Sequence, residues 1–290
     1  MDKKFHFISG LPRSGSTLLS AILRQNPRFH ASMSSPVGNL VGNMIGEFSA
    51  GSEFAPVITQ AQRRHLLKGI FSSYYADEVH KDVIFDTNRA WCAKLPLLMD
   101  LFPDAKVIAC VRDVAWVLDS LERRYRANPY ENTKLFGDWS ERLTVESRVE
   151  TLLQRNRLVG FAWSALKEAC YGEHADRLLV VDYDLLSQAP AKVLELIYQF
   201  IGETPFPHHF DGVEFDAPEF DAELGMSGLH RIRPKVEFIH RKTVLPPDVF
   251  TRCTTLNFWR NLEDSAAHVI RPSRHDVVER QVAVSPQSFQ

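Results

Sequence analysis

A strand, a turn and a helix at the start of the chain decide its fold: residues 4–25 read KFHFISGLPRSGSTLLSAILRQ. The apolar and aromatic run at 4–9 predicts a buried strand, and the apolar run at 16–25 predicts a helix. Gly10 and Gly15 bracket the turn between them. N–H groups at the start of a helix after such a turn bind anions, and the helix dipole strengthens the attraction. This stretch therefore predicts an anion site at the end of the first strand.

Short β-like segments alternate with longer helical ones along the rest of the chain. This order favours an α/β fold, a three-layer P-loop-like architecture in which helices flank a central parallel sheet. Strands are predicted at residues 4–9, 82–86, 106–111 and 178–182. Helices are predicted at residues 16–25, 60–75, 93–101, 115–127, 146–169 and 191–201, with Phe161 of the longest helix facing the core. We expect a single domain over residues 1–272 and a flexible tail over 273–290.

Two regions differ in composition from these periodic segments. Residues 32–56 are rich in Gly, Ser, Met and Asn, and residues 205–247 are rich in His, Pro, Gly, Asp and Arg. The first follows the first strand–helix unit, where α/β sheets bind ligands. Long loops like the second are usually functional. The first region is therefore expected near the ligand crevice, and the second is expected to be a lid or a binding loop.

The composition limits the classes of function. The 290 residues are 44% hydrophobic and 24% charged, which is typical of a globular protein. The formal net charge of −2 excludes a global positive field for nucleic acid or acidic membranes. The N-terminal residues MDKKFHFISG contain no signal-peptide apolar run, and no segment approaches the roughly 18 apolar residues of a membrane span. A cytoplasmic protein is expected.

The four cysteines are widely spaced and form no CxxC pair. This spacing argues against a structural zinc site and against a disulfide framework. Reduced thiols that are mostly buried are therefore expected.

The turn resembles a nucleotide-binding loop that lacks its lysine. Gly10, Gly15 and Thr17 match the spacing of the P-loop, but Ser16 stands where that loop has lysine, and the nearest cation is Arg13. A kinase with this change would lose its main charge clamp on the transferred phosphoryl group. The loop fits a donor whose transferred group is less charged, such as a phosphosulfate. An ordinary turn and an atypical P-loop kinase are the alternatives.

Two motifs are similar to those of sulfotransferases that use 3′-phosphoadenosine-5′-phosphosulfate (PAPS). Residues 10–19, GLPRSGSTLL, resemble their 5′-phosphosulfate loop, and residues 105–113, AKVIACVRD, followed by Ser120, resemble their 3′-phosphate site. The resemblance implies PAPS as co-substrate, adenosine-3′,5′-bisphosphate as product and no metal. It implies that the donor is bound by Pro12, Arg13, Ser14, Gly15, Ser16, Thr17, Arg112 and Ser120. From the residues alone, Arg112 could equally end its strand in a salt bridge.

Two further segments resemble parts of the same family, and the pattern is closest to its bacterial and tyrosylprotein branch. Residues 178–186, LLVVDYDLL, resemble a late strand whose tyrosine, here Tyr183, lies near the adenine or the 3′ side of the donor. Residues 227–236, SGLHRIRPKV, resemble a loop that closes over PAPS. By that likeness the donor phosphates are neutralised by Arg231, Arg233, Lys235 and, if protonated, His230. A packing tyrosine and a solvated basic loop are the alternatives.

The general base is the least determined residue. Asp86 is the first candidate and Arg89 a candidate cation for orienting the acceptor or stabilising the sulfonate, because both follow a predicted strand at its functional end. Such an aspartate needs a pKa raised by partial burial, and a turn-capping Asp86–Arg89 pair is the alternative. Glu47 is the second candidate, since the chain lacks the glutamate that tyrosylprotein sulfotransferases carry after the loop. His30 is the third.

The acceptor is expected to be a hydroxyl group. The polar loops and the likeness to the tyrosylprotein branch favour a peptide tyrosine, with a glycan or small-molecule hydroxyl as the alternative. The family also makes a homodimer possible, and no nucleic-acid partner is expected.

Overall fold

The protein is built around a six-stranded parallel sheet. The computed structural model describes residues 3–127, 130 and 133–271. The strands are β1 (Lys4–Gly10), β2 (Phe29–Ala31), β3 (Val83–Thr87), β4 (Val107–Val111), β5 (Leu178–Asp182) and β6 (His268–Val269), in the order β2-β3-β1-β4-β5-β6. All five pairings are parallel, which confirms the predicted α/β sheet. The tail predicted at 273–290 lies outside the described residues.

Helices connect the strands and cover both faces of the sheet. They are α1 (Ser16–Leu23), α2 (Val37–Phe48), α3 (Gln60–Tyr74), α4 (Leu95–Leu101), α5 (Val114–Ala127), α6 (Val145–Leu153), α7 (Leu158–Tyr171), α8 (Tyr183–Gln188), α9 (Pro190–Ile201), α10 (Pro218–Glu223) and α11 (Pro247–Thr254). Helix α2 falls in the region 32–56 and α10 in the region 205–247. None of the helices in the described ranges is long and apolar enough to cross a membrane.

The single long helix predicted at 146–169 is wrong, because the chain breaks between α6 and α7. Gln154 leaves the helical conformation with ψ of 144°. A Cβ at Gly160 would lie 2.2 Å from the backbone oxygens of Leu153 and Gln154, so α7 begins directly against the end of α6. The break changes which residues face the core, and Phe161 is 39% exposed instead of buried.

Alternation along β1 distributes the core between two layers. Phe7 joins the layer that contains Phe71 and Trp91, whereas its neighbour Ile8 joins the opposite layer with Ile22. Successive strand residues point to opposite faces, so a strand buried on both sides needs apolar residues at consecutive positions. The two layers confirm the three-layer architecture predicted from the sequence.

The four cysteines are free and buried, as predicted. Burial raises the pKa of Cys92 to about 11 and that of Cys110 to about 12. These thiols are therefore uncharged near neutral pH and serve as small core residues.

The loop after β1 is fixed by its contact with β4. The N–H of Leu11 donates to the carbonyl oxygen of Cys110 at 2.9 Å. Gly10 has φ of 106°, and a Cβ there would lie 2.1 Å from the same oxygen. Because β1 lies between β3 and β4, the loop leaves the sheet where successive connections diverge, which is the usual ligand crevice of such sheets.

We expect Gly10→Ala to lower the free energy of unfolding by about 3–5 kcal/mol, because it combines an unfavourable φ with a backbone collision. Gly51→Ala is the matched control: Gly51 has φ of 102°, but a Cβ there would meet nothing within 4 Å. The control should cost about 1–2 kcal/mol. Urea unfolding of the three proteins measures both values, and equal losses would show that the Cys110 contact is unimportant.

Candidate active site

A cavity of about 870 Å³ lies at the carboxyl ends of β1, β3 and β4. Its walls come from the loop after β1, the second half of α5, Tyr183 after β5, and the segment 226–241. The lining contains these residues of the predicted site: Pro12, Arg13, Gly15, Ser16, Thr17, Arg89, Arg112, Ser120, Tyr183, Arg231, Arg233 and Lys235. Ser14, Asp86 and Glu47 are not part of the described lining. The fold thus brings together residues that are more than 200 positions apart in the chain.

The loop after β1 presents N–H groups and one cation, Arg13, to the cavity. Helix α1 begins at Ser16, so the N–H groups of its first turn have no acceptor inside the helix. Ser14 is buried, and its hydroxyl donates to the carbonyl oxygen of Cys110 at 2.8 Å. Ser14 therefore anchors the loop through its side chain and can offer a ligand only its N–H. Arg13 has φ of 59°, a left-handed conformation that is uncommon outside glycine.

Arg13 connects three parts of the site. Its Nε donates to the hydroxyl of Ser120 at 3.1 Å, and its guanidinium also donates to the carbonyl oxygen of Leu229. Burial and then repulsion from Arg124 and Arg112 lower the pKa of Arg13 to about 10. The side chain is still protonated at neutral pH, so it places a positive charge between the loop, α5 and the segment 226–241.

Arg112 has the features of an anion-binding residue. Its guanidinium carbon lies 4.3 Å from the centre of the Tyr183 ring, a cation–π contact. Its Nε is buried and has no hydrogen-bond partner in the described structure. No carboxylate of the described residues forms a salt bridge with it, so the alternative of a salt-bridged strand end is not supported. A buried N–H donor of this kind needs an acceptor, and an anion in the cavity fits that requirement.

Tyr183 contacts both elements that are predicted to bind the donor phosphates, namely the loop after β1 and Arg112. A Cβ at Gly15 would lie 2.7 Å from Cδ2 of Tyr183, so the ring packs on the loop glycine while its face covers Arg112. Tyr183 therefore has the packing role that was the alternative, and it packs on both anion-binding elements. This position is compatible with the predicted place beside the donor.

Three cations of the cavity were not singled out by the sequence motifs: Arg123, Arg124 and Arg241. The fully buried Asp119 holds two of them, with Nε of Arg123 at 3.0 Å and a guanidinium nitrogen of Arg241 at 2.7 Å. It also accepts a hydrogen bond from the N–H of Val244 at 2.7 Å. The Asp119 carboxylate therefore attaches the 241–244 segment to α5 and directs positive charge to the cavity. The only sequence signal was an arginine pair close after Ser120 on the same predicted helix.

Asp86 has no direct access to the cavity, because it is fully buried beneath it. Its carboxylate accepts hydrogen bonds from Tyr75 at 2.6 Å, Trp91 at 2.7 Å and Ser35 at 2.7 Å. Burial raises the pKa of Asp86, while these three donors oppose the rise. A proton-accepting role would require the loss of these bonds, so the geometry favours a structural role.

The other two candidate bases lie apart from the cavity. Glu47 is exposed on α2. His30 is on β2, and its Nδ1 lies 2.9 Å from a carboxylate oxygen of Glu78. Arg89, in contrast, lines the cavity, and desolvation lowers its pKa. No described carboxylate pairs with Arg89, so the capping pair with Asp86 is not formed.

The segment 226–241 is attached at several points although it contains no regular helix or strand. Ile232 N–H donates to the Phe215 carbonyl at 3.1 Å, and Val236 N–H donates to the Phe210 carbonyl at 2.8 Å. Arg231, Arg233 and Lys235 alternate with these anchored residues and are exposed at the cavity. The basic loop predicted at residues 227–236 thus borders the same cavity as the loop after β1.

Comparison with solved structures found similar chains at low sequence identity. The sulfotransferase domain of the Synechococcus PCC 7002 olefin synthase is 20% identical, with a TM-score of 0.46 over 99% of this chain and 98% of that chain. The sulfotransferase domain from the curacin biosynthetic pathway is 15% identical, with a TM-score of 0.49 over 99% of each chain. Sulfotransferase STF9 from Mycobacterium avium is 14% identical, with a TM-score of 0.48 over 92% of this chain and 79% of that chain.

Comparison with curated protein sequences found no match. The model of the Sulfotransferase family matches residues 6–208. This range contains the loop after β1, Arg112, Ser120 and Tyr183, and it covers well over half of the 290 residues. The chain therefore belongs to the sulfotransferase family.

Proposed function

We propose that this sulfotransferase takes the sulfonate from PAPS and transfers it to an acceptor hydroxyl group. The observation that carries the proposal is the pair of anion-binding elements in one cavity. The free N–H groups at the start of α1 form one. The guanidinium of Arg112, whose buried Nε has no partner among the described residues, forms the other, with Tyr183 packed on both. A donor with an anionic group on each side of its ribose fits this arrangement.

The residues of the cavity divide between the two ends of the donor. The loop N–H groups, Arg13 and the hydroxyls of Ser16 and Thr17 hold the 5′-phosphosulfate. Arg112 and Ser120 hold the 3′-phosphate. The basic side chains of the segment 226–241 cover the bound donor and add charge that offsets its phosphates.

Transfer requires little covalent chemistry from the protein. The acceptor oxygen forms a bond to sulfur as the bond from sulfur to the bridging oxygen breaks, and the electron pair of that bond stays on the phosphate. Negative charge grows on the bridging oxygen, and the Arg13 guanidinium and the loop N–H groups stabilise it there. Arg89 faces the same space and orients the acceptor or the sulfonate.

One wall of the cavity bears on the choice of acceptor. It is apolar and consists of Leu121, Leu135, Leu158, Phe220, Leu224 and Met226. A phenol ring packs well against such a wall, so the side chain of a peptide tyrosine is the first acceptor to test. An alcohol on an alkyl chain is the second, for the same reason. A glycan would leave many of its hydroxyls without partners there.

Calorimetric titration with adenosine-3′,5′-bisphosphate and, in parallel, with ATP and magnesium tests the donor class. Binding of the bisphosphate in preference to ATP supports the proposal. A screen with PAPS and tyrosine peptides, simple phenols, alkyl alcohols and sugars then identifies the acceptor. Preference for ATP with magnesium would contradict the proposal and favour an atypical kinase.

Replacing Arg112 with alanine should weaken binding of adenosine-3′,5′-bisphosphate by about 1.5–3 kcal/mol, which corresponds to about 10- to 150-fold in Kd. Binding of adenosine-5′-monophosphate, which lacks the 3′-phosphate, should change much less. Arg64→Ala is the control, since Arg64 is exposed, pairs with Asp100 and lies outside the cavity. An equal loss for both nucleotides would place Arg112 away from the 3′-phosphate.

Replacing Arg13 with alanine should lower kcat by about 10²–10³-fold, because its charge acts on the oxygen that becomes negative during transfer. The Kd for adenosine-3′,5′-bisphosphate should change far less than kcat. Arg13→Lys should restore part of the rate. Unchanged turnover in Arg13→Ala, with the fold intact by circular dichroism, would exclude this role.

A further inference from the structure

His230 and Asp221 form a pair at the cavity wall whose geometry differs from that of a phosphate-binding cation. Nδ1 of His230 lies 2.5 Å from Oδ1 of Asp221, and the N–H of His230 donates to Oδ2 of the same carboxylate at 2.9 Å. Asp221 is fully buried on α10. Because the carboxylate needs a donor, the hydrogen bond assigns the proton of neutral His230 to Nδ1. Nε2 then carries a free electron pair.

The imidazole is also held in place by its neighbours. The Phe220 ring meets it edge-on with the ring centres 5.3 Å apart. Arg13 binds the carbonyl oxygen of Leu229, the residue directly before His230. His230 lines the same cavity as Arg13 and Arg89, with 17% of its side chain exposed. In the described part of the chain no group bonds to Nε2, so this atom is free for a ligand in the cavity.

The surrounding charges favour the neutral imidazole. Burial, Arg13 and Arg89 lower the pKa of His230, and Asp221 raises it without cancelling their effect. The net pKa lies below the ordinary histidine value of about 6.5. At neutral pH His230 is therefore mostly uncharged and able to accept a proton, whereas a phosphate-neutralising role would need its charged form.

We propose that His230 is the general base of the transfer and that Asp221 is the residue that positions it. The inference rests on the proposed function. Nε2 of His230 takes the proton of the acceptor hydroxyl while the acceptor oxygen bonds to sulfur and the bond from sulfur to the bridging oxygen breaks. The electron pair stays on the departing adenosine-3′,5′-bisphosphate. The proton then passes from His230 to solvent. Until that release, Asp221 stabilises the imidazolium.

Glu237 is the competing base. It is the acidic side chain in the described lining, but it is exposed and lies 3.4 Å from the ammonium group of Lys235. A carboxylate in that setting is paired and solvated, and it lacks the buried partner that fixes His230. The phenyl edge of Phe220 also places His230 next to the apolar wall proposed for the acceptor.

The test compares His230→Gln with His240→Gln in steady-state kinetics from pH 5 to 9. His240 is an exposed histidine of the same segment that does not line the cavity. His230→Gln should lower kcat by about 10²–10⁴-fold and remove the fall in rate at acid pH, while the Kd for adenosine-3′,5′-bisphosphate stays within about threefold. His240→Gln and Glu237→Gln should retain the native pH profile.

The Asp221→Asn variant tests the positioning role through the pH profile, which loss of packing alone would not shift. Without the carboxylate the imidazolium is less stable, so the acid limb of the pH profile should shift to lower pH. The value of kcat should fall by about 10²–10⁴-fold. An unshifted acid limb in Asp221→Asn would exclude the positioning role.

The native protein provides a test that requires no substitution. Its rate should fall in a single-proton step below about pH 6.5, since a protonated imidazole cannot accept the proton. A native rate with no acid limb down to the pH at which the protein unfolds, or an acid limb that persists in an active His230→Gln, would overturn the inference. Failure of the proposed function is distinct: the native protein would then neither bind adenosine-3′,5′-bisphosphate nor use PAPS, and the inference would fall with it.

Discussion

The candidate site depends on two hydrogen bonds that the carbonyl oxygen of Cys110 accepts. The oxygen accepts hydrogen bonds from the N–H of Leu11 and from the hydroxyl of Ser14, at 2.9 and 2.8 Å. These two bonds attach the loop after β1 to the end of β4, and Arg112 follows two residues later on the same strand end. The distance between the loop and Arg112 is therefore set by the sheet itself. Two anion-binding elements that are attached to neighbouring strands are held rigidly by such a framework.

Repulsion between positive charges opposes this arrangement. Burial lowers the pKa of Arg13, and repulsion from Arg124 and Arg112 lowers it further. Two fully buried carboxylates, Asp119 and Asp221, lie behind the cavity wall and not in it. They hold side chains of the site in position while leaving the cavity itself cationic. An anionic ligand bound there would relieve the repulsion, which is consistent with a site shaped for a donor carrying two anionic ends.

The sequence predicts the parts of the candidate site that lie at the ends of strands. The loop and Arg112 could be assigned to one cavity because a strand, a turn and the residue after a strand are local patterns, and parallel strands bring their carboxyl ends together. The chain break between α6 and α7 was missed because residues 146–169 keep an apolar period across it. The pairings of Asp119 with Arg241 and of Asp221 with His230 depend on packing of a loop onto the domain, which no local pattern encodes.

The contrast between Asp86 and His230 shows why position at a strand end is insufficient to identify a base. Asp86 follows the predicted pattern, yet three donors occupy its carboxylate and no surface of it is exposed. His230 lies in an irregular segment, but its Nδ1 is bound to a buried carboxylate and none of the described residues bonds to its Nε2. A base must combine a fixed orientation with an open electron pair. His230 meets both conditions, because Asp221 holds its Nδ1, whereas the donors around Asp86 occupy its carboxylate.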